Sequence, residues 1–186
     1  MRRLAARLAR DAGEADDLSA YQRAVERTPQ DASLWYDLGC LRALLNQGEA
    51  AHDAFVFALR LDHRHAAAYD ASGQLADLVG DLTRAESFYL QACHLEPMNP
   101  KFLRHLADAQ LRRGRTAQAR PTLEQLLRVA PRDANTRYQL GVVELQEGVP
   151  DLAVHEFQQA VQLTPDDAMM WNGLAYGEVA WTSASV

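Results

Sequence analysis

Little in this chain belongs to the usual equipment of a chemical site. Two cysteines, Cys40 and Cys93, stand in 186 residues; they provide neither a disulfide framework nor the Cys-x-x-Cys spacing of a metal site. No apolar run approaches the ~20 residues needed to cross a bilayer. Basic charge is in deficit: the net charge is −6, which argues against general nucleic-acid binding, whose affinity comes largely from neutralised phosphates. Of 19 basic residues only Lys101 is lysine, an arginine bias that points to a GC-rich, bacterial genome. Glycine and proline are sparse and aromatic residues make up 8%, whereas alanine and leucine, strong helix formers, recur throughout. The composition favours an all-helical chain. The start, "MRRLAARLARDAGEADD", is too broken by arginine for the unbroken core of about 7 to 15 apolar residues of a signal peptide. A reducing cytoplasm is the expected compartment.

The stretch "GDLTRAESFYLQACHLEP", residues 80 to 97, sets a Cys beside a His with acidic residues close by. Ala85, Phe88, Tyr89, Ala92 and Cys93 recur at i, i+3, i+4, i+7 and i+8, the apolar stripe of a helix. Asp81 is placed to cap its start and Pro97 to mark its end. The same stripe returns along the chain. Gly39, Gly73, Ala107, Gly141 and Ala175 share a register of small residues 34 apart, with Ala5 one step earlier. Tyr21, Phe55, Tyr89, Leu123 and Phe157 share a large apolar register, and three residues on come Ala24, Ala58, Ala92, Leu126 and Ala160. Pro29, Pro97, Pro131 and Pro165 close the units, with His63 substituting once.

These residues resemble the tetratricopeptide repeat, a 34-residue helix-turn-helix unit. The match is close at "LWYDLGC", at "GDLTRAESFYLQACHLEP" and at "GVPDLAVHEFQQAVQLTP". The resemblance implies an all-α, right-handed superhelical solenoid of antiparallel helix pairs, a single array over 1–186 with units at about 1–31, 32–65, 66–99, 100–133 and 134–167 and a partial sixth at 168–186. Each unit buries its apolar face only by stacking on the next, so about three are needed for stability. The small residues at Gly39, Gly73 and Gly141 let paired helices approach, and Ala51, Ala85, Ala119 and Ala153 are expected to supply the facing surface. Some positions depart from the pattern. The family's first-helix tyrosine is replaced by Leu8, Arg42, Ala76, Gln110, Glu144 and Glu178; Asp17 stands where the first unit should have alanine; and Pro121 lies inside a second helix, which it is expected to bend slightly.

No catalytic constellation emerges. Cys93 falls in the register of Leu59, Leu127 and Val161 and reads as a small buried hydrophobe, with His94 on the more exposed side. His63 and His65 sit in a turn between repeats without further ligands at metal spacing, and read as solvated. The glycines never form a phosphate-binding pattern after a strand. The expectation is a protein that is not an enzyme and holds no metal or cofactor.

The resemblance also implies a groove lined by first helices that grips a peptide or partner protein. Carried over position by position, its residues are Tyr36 and Cys40; Asp70, Gln74 and Asp77; Lys101, Arg104, Asp108 and Arg112; Asn135, Tyr138 and Val142; and Asn172 and Tyr176. Tyrosine and arginine combine large contact area with hydrogen bonding and are enriched in binding hot spots. Lys101, Arg104 and Arg112 share a helix face and are placed to hold an acidic segment, unless they pair with Asp70, Asp77 and Asp108 between repeats. The Lys, Asn and Arg set of the family's chaperone-tail clamps is missing, so that ligand is disfavoured. Two other readings share the fold: the targeting array of a larger glycosyltransferase or sulfotransferase, and an assembly factor for a secretion, pilus or polysaccharide machine. At one end Arg2, Arg3, Arg7 and Arg10 can solvate an outer face; at the other, Trp171, Leu174 and Ala175 stand in registers that face a second helix for which the chain to Val186 leaves no room. Self-association through Trp171 and Leu174, or packing on a following domain, is the expected result.

Overall fold

The computed structural model describes residues 14–184, and all of its regular structure is helical. Ala5, Leu8, Arg2, Arg3, Arg7 and Arg10 lie outside the described residues, as do the last two, Ser185 and Val186. Among the described residues ten helices follow one another: α1 (Glu14–Arg27), α2 (Ala32–Leu44), α3 (Gly48–Leu61), α4 (Ala66–Leu78), α5 (Leu82–Leu95), α6 (Pro100–Arg112), α7 (Thr116–Val129), α8 (Ala134–Gln146), α9 (Pro150–Leu163) and α10 (Ala168–Ala184). Helix starts and stops fall on the 34-residue period. The chain packs as two compact units, Met1–Glu96 and Pro97–Val186. None of the helices is long and apolar enough to cross a membrane among the described residues.

Short polar side chains start the first helices by taking up backbone N–H groups that the first turn leaves unpaired. Asp31 accepts from the backbone of Ser33 and Leu34, Asn99 from Lys101, and Asp133 from Thr136. His65 does the same through Nδ1 for Ala68 and its ring lies 4.8 Å from that of Tyr36, so it is a half-buried cap rather than a solvated turn residue; His63 is exposed. Asp81 caps α5 as its sequence predicts. Within each helix pair the turn passes through a left-handed residue: Asn46 (φ 57°), Gly80 (79°), Gly114 (69°) and Gly148 (75°), again 34 apart. Glycine enters that conformation without steric cost and asparagine tolerates it best among the rest. Helix α7 continues through Pro121, whose side chain is exposed.

In the first unit α2 packs on α3 and α4 on α5, with α1 against α2 and α3 against α4. Ala51, Phe55 and Ala71 form a buried centre joined by Tyr36, Cys40, Ala43 and Leu75. In the second, α6 packs on α7, α8 on α9, and α10 closes on α9. One centre there holds Ala107, Leu123, Leu140 and Val143, another Ala134, Ala160, Val161 and Met170.

The close approach within each pair differs from the sequence expectation. Ala51, Ala85, Ala119 and Ala153 are all fully buried, but what faces each glycine is the aromatic ring of the second helix. A methyl group on Gly39 would come within 2.5 Å of Phe55, on Gly73 within 2.6 Å of Tyr89, and on Gly141 within 2.8 Å of Phe157. Where the small residue is Ala107, the large one is Leu123, both fully buried in one cluster. The extra methyl on one helix is matched by a smaller group on the other, as close packing demands.

Candidate interaction surface

The residues carried over for the groove divide by unit. In the first, most are taken into the packing. Tyr36 is half-buried with its ring 6.0 Å from Phe55, and burial raises its phenol well above the usual range, with the neighbouring Cys40 adding to the effect. Asp70 is fully buried and its carboxylate accepts from Gln74 Nε2 at 2.7 Å. Cys93, half-buried across from it, has its thiol pushed up to about 12 by burial and by the charge of Asp70. These are features of an inert thiol, since the reactive form is the thiolate. Asp77 is half-buried.

The second unit presents more to solvent. Lys101, Arg104, Asp108 and Arg112 recur at i, i+3, i+7 and i+11 along α6 and share one face. Lys101, Arg104 and Arg112 are exposed, with the Lys101 ammonium 5.5 Å from the centre of the Phe102 ring. Asn135 on α8 and Asn172 and Tyr176 on α10 are exposed as well, Tyr176 by 72%. Tyr138 and Val142 are half-buried, Tyr138 with its ring 5.5 Å from Phe157.

Arg104 pairs with an aspartate that the mixed-charge reading did not name. Arg104 reaches Asp133 Oδ2 at 2.6 Å, so the cap of α8 is held from α6. Burial opposes ionisation of Asp133, but the hydrogen bonds from Arg104 and from the Thr136 backbone hold its carboxyl below the ordinary range. Asp108 accepts from Gln139 Nε2 at 2.7 Å rather than from an arginine. Both links run from α6 to α8 or its cap.

Two sets of residues went unread in the sequence. The proline that closes a repeat offers its carbonyl to a side chain: Trp35 Nε1 donates to Pro29 at 2.9 Å, Arg137 to Pro131 at 3.1 Å and Trp171 Nε1 to Pro165 at 2.8 Å. At the corresponding Pro97 the donor is Gln125 of α7, at 2.7 Å, because Leu103 stands where the others have a donor. The period alone held this signal, since Trp35, Arg137 and Trp171 share one register. The second set fills the position where the family has tyrosine. Arg42 donates to the Ala50 carbonyl at 3.1 Å, Gln110 accepts from Thr122 at 2.9 Å, and Glu144 accepts from Arg120 at 3.4 Å. Arg120 also holds Glu147, donating from both Nε and Nη2. Only a partner in space makes such bridges visible.

Among the described residues no group of three or more His, Cys, Asp or Glu side chains is placed to hold a metal ion. The surface offers hydrogen bonds, charge and aromatic area, the chemistry of recognition.

Comparison with known proteins agrees with this architecture. A family model described as tetratricopeptide repeat matches residues 105–168. No curated protein matches the sequence. Among solved structures, the crystal structure of YrrB, described as a TPR protein with an unusual peptide-binding site, superposes with a TM-score of 0.80 at 22% identity, over 86% of this chain and 82% of that one. A crystal structure of MamA gives 0.72 at 18% identity, over 78% and 85%. The 41-end form of MamA from Desulfovibrio magneticus RS-1 gives 0.73 at 21%, over 83% and 89%. Residues 105–168 thus match the tetratricopeptide repeat in sequence, and the chain shares the all-α repeat fold of these proteins.

Proposed function

We propose that this protein is a non-catalytic cytoplasmic scaffold that holds a segment of a partner protein against the first helices of its repeats. The observation that carries the reading is the solvent-facing set of the second unit: Lys101, Arg104 and Arg112 on α6, Asn135 on α8, and Asn172 and Tyr176 on α10. Burial does not require polar and aromatic side chains at these positions, and they supply the charge-assisted and planar contacts that hold a peptide. The likeness to YrrB supports a peptide ligand at the level of fold. In the first unit Tyr36, Cys40 and Asp70 shape the packing beneath the surface, so there the binding role falls on Gln74 and Asp77.

An acidic segment suits the three cations of α6. Lys101→Glu with Arg112→Glu tests this while leaving the Arg104 link to Asp133 in place. Against peptides selected on the wild-type protein, the double variant should bind at least about tenfold more weakly, equivalent to ~1.4 kcal/mol, with unchanged helical circular dichroism. Added salt should weaken the wild-type complex. Equal affinity of the two proteins for every selected peptide would remove the site from this face.

A further inference from the structure

A cleft of about 640 Å³ opens in the first unit between α3, α4 and α5. Its wall is apolar: Leu75 and Ala76 of α4, Val79 at the C-terminal cap of that helix and Phe88 of α5, with Ser72 at the base. At 100° per residue, Ser72, Leu75, Ala76 and Val79 lie on the side of α4 opposite to Asp70, Gln74 and Asp77. The cleft is therefore not part of the surface proposed above, and its test is independent of that reading.

The internal repeat shows how the cleft arises. At the register of Ser72 the other repeats place Leu38, Leu106 and Leu140, each buried. Ser72 is equally buried, but its side chain is two heavy atoms smaller than leucine and its hydroxyl turns back to donate to the Ala68 carbonyl at 2.9 Å. At the register of Ala76 stand Arg42, bonded to Ala50, and Glu144, bonded to Arg120. At the register of Val79 stands Glu147, also bonded to Arg120, and Arg120 itself occupies the register of His52 on the cleft wall. In the second unit an ion cluster thus spans the equivalent positions. In the first, His52, Ala76 and Val79 stand in place of Arg120, Glu144 and Glu147, Ser72 stands in place of Leu140, and the groove is open and apolar. Leu78 and Val79, both 81% exposed, carry the apolar surface out past the mouth.

Charge at the rim indicates the occupant. Glu49 and Asp53 are exposed on α3 one turn apart, at i and i+4. The one arginine of the rim, Arg84, lies 4.0 Å from Asp81 of its own helix start. The rim is left acidic beside an apolar cavity.

We propose that this cleft is a second docking site, for a partner peptide that inserts one bulky aliphatic or aromatic side chain and sets a lysine or arginine against Glu49 and Asp53. The volume lies within the range that holds a ligand group of this size, and an apolar anchor in a pocket with a charged neighbour at the rim is the usual division of affinity and specificity. The exposed Leu78 and Val79 favour a chain that continues over the surface over a small molecule confined to the cavity.

The test is a displayed library of random linear peptides selected on the full 186-residue protein, counter-selected on Ser72→Leu. That variant supplies the leucine of the other repeats, so it should keep the fold and melt at an equal or higher temperature. The expected peptides join a bulky apolar residue to a nearby Lys or Arg; they bind Ser72→Leu and Val79→Glu at least about tenfold more weakly, and Glu49→Lys with Asp53→Lys several-fold more weakly, with no change for Lys101→Glu with Arg112→Glu. Val79→Glu, at an exposed site, keeps the test valid should Ser72→Leu fail to fold. Selection of no peptide sensitive to these substitutions would overturn the proposal. So would acidic peptides at this site, or methyl NMR signals of Ala76 and Val79 that respond to the protein's own concentration, which would assign the cleft to a second copy of the chain.

Discussion

Gly73 and Tyr89 are a matched pair: a methyl group on the glycine would stand 2.6 Å from the ring of a tyrosine that is only 3% exposed. The ring has nowhere to move, so Gly73→Ala should destabilise the first unit even though alanine is the better helix former. Overpacking costs about 1 to 3 kcal/mol against a propensity gain of up to ~1 kcal/mol. Tyr89→Leu in the same chain should recover much of the loss by recreating the Ala107 and Leu123 combination. Denaturant melts of the two single variants and the double variant give the coupling; strict additivity would show that the pair is not matched.

Glu144 should make the protein more stable in mild acid than at neutral pH. Burial raises its carboxyl to about 6 despite Arg120, and Oε2 has no hydrogen-bond partner. A folded-state value above the unfolded one means that the folded form binds the proton more tightly. Stability is therefore gained as pH falls from about 7 through 6 toward the unfolded carboxyl value near ~4.3. Glu144→Gln should raise stability at pH 7 to 8 by about 1 to 2 kcal/mol, and the advantage should vanish below pH 5. A pH-independent difference between the two proteins would contradict this origin.

Asp133 acts in the opposite sense. Its depressed carboxyl contributes stability that is present above the unfolded value of ~3.9 and is lost as pH falls through the lower folded value. Asp133→Ala should cost about 1 kcal/mol at pH 7 through loss of the helix cap, and Asp133→Asn clearly less. Thermal melts from pH 2 to 7 should show the wild type and Asp133→Ala converging at the acid end.

The last helix carries the proposal of self-association. Leu174, which the sequence put beside Trp171 in an apolar end, packs instead on the core of Ala134, Ala160, Val161 and Met170. Trp171 is 52% exposed, and Val179 and Tyr176 lie exposed on adjoining sides of the same helix. We propose that two copies meet through this face. Trp171→Asp should shift sedimentation from concentration-dependent association to monomer without loss of helix, whereas Leu174→Asp should lower the melting temperature. A wild-type protein that stays monomeric at high concentration would refute the proposal.

The periodic part of this molecule was legible in advance because each helix repeats the same apolar and small positions. The cap Asp81, the helix that contains Cys93 and the register of Gly73 are all local statements. What could not be read lies between elements. The ring facing Gly73 belongs to another helix, the burial of Asp70 depends on its neighbours, and Arg120 finds Glu144 and Glu147 across 24 and 27 residues. Exposure, which decides whether Tyr36 or Tyr176 is free to bind, is a property of the packed array.

The matched pairs also bear on how such a gene can change length. Gly73 with Tyr89, and Ala107 with Leu123, each sit inside one repeat, so a duplication or deletion of 34 codons copies or removes both partners together. The Arg120 contacts with Glu144 and Glu147 straddle a junction, and a recombination point there separates donor from acceptor. Unequal crossing-over should be tolerated across the first unit, where Ser72, Ala76 and Val79 ask nothing ionic of the preceding repeat, and be selected against between α7 and α8.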